Sequence, residues 1–484
     1  MVTSELLRAV RLGKEDEALT ELYGADQLPA QRERYAAAIA EFASLYGERE
    51  ISVFTVAGRS EISGNHTDHN HGCVIAASID LDIIAVAARC EADTISIKSE
   101  GFPRDVVSLS ERVPNPERYF TSGALIAGVA EGFRRAGLRV GGFVAYTTSN
   151  VLKGSGLSSS AAFENMVGTI FSHLYNNGRI DNVQIAKLSQ YAENVFFGKP
   201  CGLMDQVACA VGGIVAIDFA DPSRPQIEAL DFDLSGQGYN LCIVNTGGNH
   251  ADLTDDYAAV PAEMKAVAAH FGKNVLREVK EEQVVAEIPA LRHEVGDRAI
   301  LRALHFFREN DRVEKQVAAL KSNNIDAFFD GVLASGRSSF CYLQNVYTVK
   351  NVREQGLSLA LCLCERFLAG EKAAYRVHGG GFAGTVQAFV PDHLAKDFRA
   401  KDYPVEAGFH QVSVDGVKNQ KVNEKRPQIL FVFLKSGLPT GFYAGGIVRL
   451  GGGALVWAAL RTVPAHYRIL TAPSRRMRRI RQAP

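Results

Sequence analysis

A strand-like run, residues 142–147 (GFVAYT), leads into Gly154-Ser155-Gly156-Leu157-Ser158-Ser159-Ser160, and a helical pattern follows at once. Phe163, Met166, Val167, Ile170, Phe171 and Leu174 recur at helical spacing, which predicts a helix over about 160–176 with one face on a core. Strand, glycine-serine turn and half-buried helix, in that order, leave few folds open. The serines are preferred cap residues for the helix start. A helix start also offers unpaired N–H groups and the positive dipole end, which suit a phosphate, and glycines let the backbone come close to it. The hydroxyls add donors and a candidate magnesium ligand. The loop is not a Walker A loop, since no Gly-Lys-Ser/Thr follows the glycines, and the third glycine of a dinucleotide fingerprint is absent. A capped tight turn would use the same residues.

Two further loops carry an unusual load of small or polar residues. Gly379-Gly380-Gly381-Phe382-Ala383-Gly384 separates two strand-like runs within 374–390. It suits a turn or bulge, or the close approach of backbone to a ligand. Residues 51–57 (ISVFTVA) predict a strand that runs into a polar loop from Gly58 to Gly72, holding Arg59, Asn65, His66, Asp68, His69 and His71. His69-x-His71 has the spacing of two zinc ligands on one strand, but no partner Cys or Glu cluster stands out. Asp68, His66 and Asn65 beside an Arg suit a polyol better, because carboxylates and amides grip neighbouring hydroxyls in pairs. Farther on, Asp205 follows Gly198-Lys199-Pro200-Cys201-Gly202, with Glu193 twelve residues upstream. One carboxylate could hold magnesium while the other faces a hydroxyl.

The rest of the chain reads as helix over 1–50, two strands within 73–88, a strand at 94–98, helix over 182–197, strands at 213–218 and 240–245, and mostly helix from 250 to 370. In the first helical stretch Tyr35, Ile39, Phe42 and Ala43 share a face. Strands come in runs rather than alternating with helices, which predicts an α+β fold. A length of 484 residues predicts two or three domains.

The overall charge is −1, but eleven Lys and Arg and no acid follow Glu424; taking those eleven away leaves the first 424 residues at −12. A clamp for nucleic-acid backbone is therefore not expected. The eight cysteines lack zinc-site spacing and read as thiols of a reducing cytosol. Met1-Val2-Thr3-Ser4-Glu5 starts no signal peptide, and the apolar stretch 441–460 is glycine-rich with Arg449 at its middle, so no membrane span is expected. The charge switch and lost periodicity mark residues 401–484 as a frame-shifted or fused translation, or a disordered basic end, rather than an evolved domain.

Taken in order, the loops resemble the signatures of the galactokinase family, within the GHMP superfamily of sugar and small-metabolite kinases. The first signature resembles Gly58-Arg59 through Gly64-x-His66-Thr67-Asp68-x-Asn70-x-Gly72, the second Gly154 through Ala161, and the third Gly379-Gly380-Gly381-Phe382-x-Gly384. Pro200-Cys201-Gly202-Leu203-Met204-Asp205-Gln206 looks like the family's catalytic loop, and His250 stands seven residues before Tyr257 as in the family. The resemblance covers about residues 40 to 395. It implies a two-domain fold (1–220 and 221–400, then the tail) with the active site in the cleft between domains. It further implies ATP-dependent phosphorylation of D-galactose at the C1 hydroxyl, with ATP and Mg²⁺ as cofactors, in a cytoplasmic enzyme that is a monomer or weak oligomer.

By position, the resemblance implies that Asp205 faces the anomeric hydroxyl and that Arg59 keeps it ionised and offsets charge on the transferring group. Asn65, His66, Asp68, Tyr257 and the Gly202 backbone would bind the sugar. Gly154, Ser155, Gly156, Leu157, Ser158, Ser159 and Ser160 would wrap the ATP phosphates, and Ser160 with Glu193 would hold magnesium. The family usually has Glu at the position of Asn65, which keeps a related sugar-1-kinase for galacturonate, N-acetylgalactosamine or arabinose in view. His69, Leu152, His378 and Ala383 also depart from the family pattern. A non-catalytic sugar and nucleotide sensor on the same fold is the alternative of another class; the intact serine loop speaks for turnover.

Overall fold

The computed structural model describes residues 1–151, 157–199, 201–246 and 253–400, and beyond them only the backbone of three short strands, Ile429–Val432, Ile447–Leu450 and Ala454–Trp457. Two long antiparallel strands organise the first half, β1 (Ser52–Ser63) and β2 (Cys73–Arg89). β2 was expected as two strands, because Ser78, Asp80 and Asp82 interrupt its apolar run; it is one strand of 17 residues. The interruptions are tolerated where their polar atoms find partners. Ser78 Oγ accepts the Gly213 N–H at 3.0 Å, and the Asp82 carboxylate accepts Arg34 Nη1 at 2.5 Å and the hydroxyls of Tyr23 and Thr55. β1 likewise runs on through Gly58 to Ser63, with register shifts after Ala57 and Glu61, so the polar loop begins at Gly64 rather than Gly58.

β3 (Thr94–Ser99), β4 (Arg104–Ser108) and β5 (Phe143–Ser149) extend the sheet on one side; β3 pairs parallel with β5, the other pairings of this sheet being antiparallel. β6 (Ile214–Asp218) and β7 (Gln226–Leu230) extend it from the same edge of β2, at that strand's other end. One edge of β2 is taken by β1, and the other serves two strands: Cys73–Ala77 pair with β6 and Ile83–Arg89 with β5. Its alternate residues face different cores. Ile83, Ala85 and Ala87 join the cluster under the helices Ser122–Arg135 and Ser159–Asn176, while Ile84, Val86 and Ala88 pack with the N-terminal helices Thr3–Arg11, Asp16–Tyr23 and Leu28–Tyr46. Burial on both faces is why the strand reads as nearly unbroken apolar sequence.

The second half holds an antiparallel sheet, β8 (Tyr239–Asn245), β10 (Thr385–Pro391) and β9 (Ala374–His378), with β10 central. Around it lie the helices Thr254–His270, Asp297–Lys321, Ile325–Ser338 and Gly356–Phe367. The architecture is α+β. Pairing of β7 with β6 carries the first sheet to Leu230, past residue 220. One apolar cluster joins Phe54, Ile75 and Phe171 to Leu241, Phe328 and Phe389, so the halves share a core. The expectation for residues 401–484 falls outside the described residues, apart from the three short strands, of which Ile429–Val432 pairs antiparallel with β1. Among the described residues no helix is long and apolar enough to cross a membrane.

Candidate active site

β1 delivers Arg59 to the boundary between the two sheets, and the helix Met204–Val211 delivers Asp205 in its first turn. Arg59 Nε and Nη2 both donate to Asp205 Oδ1, at 2.8 and 2.7 Å, although the residues are 146 positions apart. Burial alone would raise the Asp205 carboxyl, but the Arg59 guanidinium outweighs it, helped by the Ser158 hydroxyl and the Lys199 ammonium, and holds the group below the usual carboxylate range. Asp205 is therefore ionised at neutral pH. Its other oxygen, Oδ2, accepts the Ser158 hydroxyl. Ser158 precedes the helix Ser159–Asn176 in a left-handed conformation, φ 58°, and its side chain makes no cap bond. The expected serine cap is replaced by a bond to the carboxylate. The phosphate-loop residues Gly154, Ser155 and Gly156 lie outside the described residues, as does His250. At the end of that loop the Leu157 carbonyl accepts the Arg59 N–H at 3.2 Å, which ties it to β1.

In the first turn of the serine helix, Ser160 Oγ donates to Glu193 Oε1 at 3.2 Å. Glu193 is 1% exposed and crowded with donors: Lys199 Nζ on Oε1 at 2.9 Å, Gln206 Nε2 on Oε2 at 2.7 Å and the Cys201 thiol on Oε2 at 3.2 Å. Gln206 Nε2 also donates to Glu164 Oε1 at 2.8 Å. Glu164 is fully buried, and its Oε2 has no hydrogen-bond partner. Burial, then the neighbouring Glu193, push its carboxyl well above the usual range. Glu193 and the Ser160 hydroxyl bonded to it offer hard oxygen donors of the kind that suit a divalent cation such as magnesium.

The sugar loop faces this pair from the other side. Asp68 lies against Gly202 so closely that a Cβ there would stand 1.9 Å from Asp68 Oδ2, which is why that position is glycine. His66, in a left-handed conformation, donates from Nε2 to the Gly380 carbonyl at 2.9 Å. Burial, then the His69 ring, lower its pKa to about 3, so it is neutral and its Nδ1 is an acceptor. Tyr257 donates its hydroxyl to the Gly381 carbonyl at 2.8 Å. The third glycine loop thus turns its carbonyls onto the first loop. Gly381 has φ +80° and sits on the Asn345 carbonyl, where a Cβ would be 2.0 Å away. The His-x-His zinc geometry is absent: residues 68–70 form a 3₁₀ turn, and His69 stacks on His66 at 5.8 Å.

Asn65 lies in the same loop but is fully buried and occupied with protein groups. Its Nδ2 donates to Glu61 Oε1 at 2.9 Å and to the Gly379 carbonyl at 2.7 Å; its Oδ1 accepts Ser339 Oγ at 3.1 Å and Asn345 Nδ2 at 2.8 Å. Behind it stands a polar layer that the sequence did not disclose. Arg376 bonds Glu61 at 2.8 Å, His305 donates to the Asn65 carbonyl at 3.0 Å, and His378 bridges Ser60 at 3.1 Å and Thr385 at 2.9 Å. Gln206, Glu164 and Lys199 were also missed as site residues. Only the proximity of Gln206 to Asp205 and of Lys199 to the glycine-proline loop pointed to them.

Comparison with known proteins identifies relatives of this chain. The model for the GHMP kinases N terminal domain matches residues 124–213, and the galactokinase galactose-binding signature matches residues 40–89. A galactokinase of Streptomyces coelicolor is 32% identical over 356 residues, covering 72% of this chain and 87% of the relative. A galactokinase of Clostridium tetani is 28% identical over 362 residues, covering 75% of this chain and 89% of the relative. The structure of Lactococcus lactis galactokinase complexed with galactose superposes with a TM-score of 0.66 at 24% identity, covering 76% of this chain and 92% of that one.

Proposed function

The chain belongs to the galactokinase family, and from that premise we propose that its cleft moves the γ-phosphoryl group of ATP to the C1 hydroxyl of D-galactose, giving galactose 1-phosphate and ADP. It is an ATP-dependent sugar kinase. The observation that carries the residue assignment is the ionised Asp205, flanked by Arg59 and Ser158, between the sugar loop and the serine helix start. Asp205 orients the C1 hydroxyl and accepts its proton as the O–P bond forms. A carboxylate held below its ordinary pKa is a weak base, so its main contribution is alignment and charge, as phosphoryl transfer requires. Arg59 holds the carboxylate and offsets charge on the transferring group.

Asp68, neutral His66, Tyr257 and the Gly202 backbone grip the sugar hydroxyls. Asn65 stays in the protein network and braces the two loops. The phosphates lie along the start of the serine helix, where N–H groups and the dipole favour anions. Ser160 and Glu193 would hold Mg²⁺, which offsets phosphate charge when bound. None of the eight cysteines is in a disulfide, which supports a place in the reducing cytoplasm.

The test is ADP release from Mg-ATP across a panel of galactose, galacturonate, N-acetylgalactosamine and arabinose, with Asp205→Ala as control. Turnover with galactose that the substitution abolishes is the expected result. Binding of sugar and nucleotide without turnover on any sugar would place the chain among sensors instead.

A further inference from the structure

Glu193 needs a positive charge whether or not a metal is present. It is 1% exposed, and an ionised carboxylate so deeply buried is costly unless a cation pairs with it. Glu164, with its orphaned Oε2, adds to the acidic character next door. Among the described residues that donate to Glu193, Ser160, Gln206 and Cys201 are neutral, and Lys199 alone brings a full charge. The Lys199 ammonium sits on Oε1, the oxygen to which Ser160 also donates. It therefore holds the oxygen that the serine and the glutamate would offer a metal together.

The lysine is built to leave. Its side chain is half-exposed, so the ammonium has a path to water once another cation takes its place, while its backbone N–H stays on the Glu193 carbonyl at 3.2 Å. We propose that Lys199 is the resident cation of Glu193 and that the divalent metal arriving with the nucleotide displaces it. This rests on the reading above in which Ser160 and Glu193 hold the metal. Two cations on Oε1 repel one another, and the exchange keeps the charge at Glu193 balanced in both states. It also suppresses metal loading in the absence of nucleotide. The released ammonium stays tethered beside Asp205 and the phosphates, where a positive charge is useful.

The experiment titrates Mn²⁺ into the full-length protein without nucleotide and reads the free ion by electron paramagnetic resonance. Lys199→Met should bind Mn²⁺ about tenfold more tightly than wild type, while Lys199→Arg, which keeps a cation, should stay within about threefold. Adding Glu193→Gln to Lys199→Met should remove the gain. A folded Lys199→Met protein that binds Mn²⁺ no more tightly than wild type overturns the exchange. A gain that survives Glu193→Gln means that the metal does not sit on Glu193, and the reading of the metal site fails instead. If Lys199→Met does not fold without metal, Lys199→Gln is compared with wild type for the rise in Tm that Mn²⁺ gives. A larger rise supports the exchange, and an equal or smaller one overturns it.

Discussion

At the residue scale, the site turns on two side chains whose meaning depends on partners far away in sequence. Asp205→Asn keeps the shape and removes the charge, and should lower kcat by about 10²–10⁴ with little change in nucleotide KM. Arg59→Lys keeps the charge but loses the fork onto Asp205 Oδ1, and should cost kcat about tenfold or more. Steady-state kinetics at saturating sugar checks both. Asn65 makes the opposite case. Its four hydrogen bonds are all to protein, so Asn65→Ala should lower stability by about 2–4 kcal/mol, as buried partners lose their bonds, measured by denaturant unfolding. Asp205, Arg59, Asp68 and His66 were legible because residue types and loop order carry the family resemblance. The occupation of Asn65 was not, since its partners at Ser339, Asn345 and Gly379 are assembled by the fold. Nor was the Ser158 bond to Asp205: a serine before a helix reads locally as a cap, and only the tertiary arrangement offers it a better acceptor.

At the scale of elements, β2 links the N-terminal helices to the phosphate loop. The Asp82 N–H donates to Asn150 Oδ1 at 2.6 Å and the Asp82 carbonyl accepts the Asn150 N–H at 3.1 Å, just before that loop begins. The same Asp82 is held from above by Arg34 and Tyr23. Asp82→Asn weakens the charge-assisted bonds from the helical layer. It should raise KM for ATP several-fold while leaving KM for the sugar near its original value. Leu22→Ala, which thins the same layer without touching Asp82, should lower Tm and leave the ratio of the two KM values unchanged. The serine helix, the N-terminal helices, most strands and the glycine loops were legible from period and punctuation, while the buried helix Ser122–Arg135 and the order of strands in the sheets were not. The length of β2 was not, because a polar residue inside a buried strand looks like a break until its partners are known.

At the scale of the molecule, the buried polar layer sets the response to acid. His66, His305 and His378 are held neutral chiefly by burial, all three below the ordinary histidine value, His66 to about 3. The unfolded chain binds these protons from about pH 6.5 downward, whereas the folded chain does not. The stability they contribute is thus complete above about pH 6.5 and is lost as pH falls toward 3, by up to about 1.4 kcal/mol per pH unit for each histidine. Urea unfolding at pH 7 and pH 5 should show the loss, and His378→Gln should make it smaller.

The apolar cluster that runs without interruption from Phe54 and Phe171 to Phe328 and Phe389 has one more consequence. With the two halves joined through a common interior, swinging one half away from the other to open the cleft would expose buried apolar surface. Entry through the loops at the rim would keep that surface covered, and the proposed sugar and phosphate sites would keep one spacing. The entropy of aligning the reactants is then largely spent once, at folding, instead of at every turnover. Heat should accordingly abolish catalysis and global structure together, with no temperature range in which a folded chain has lost its grip on one substrate alone.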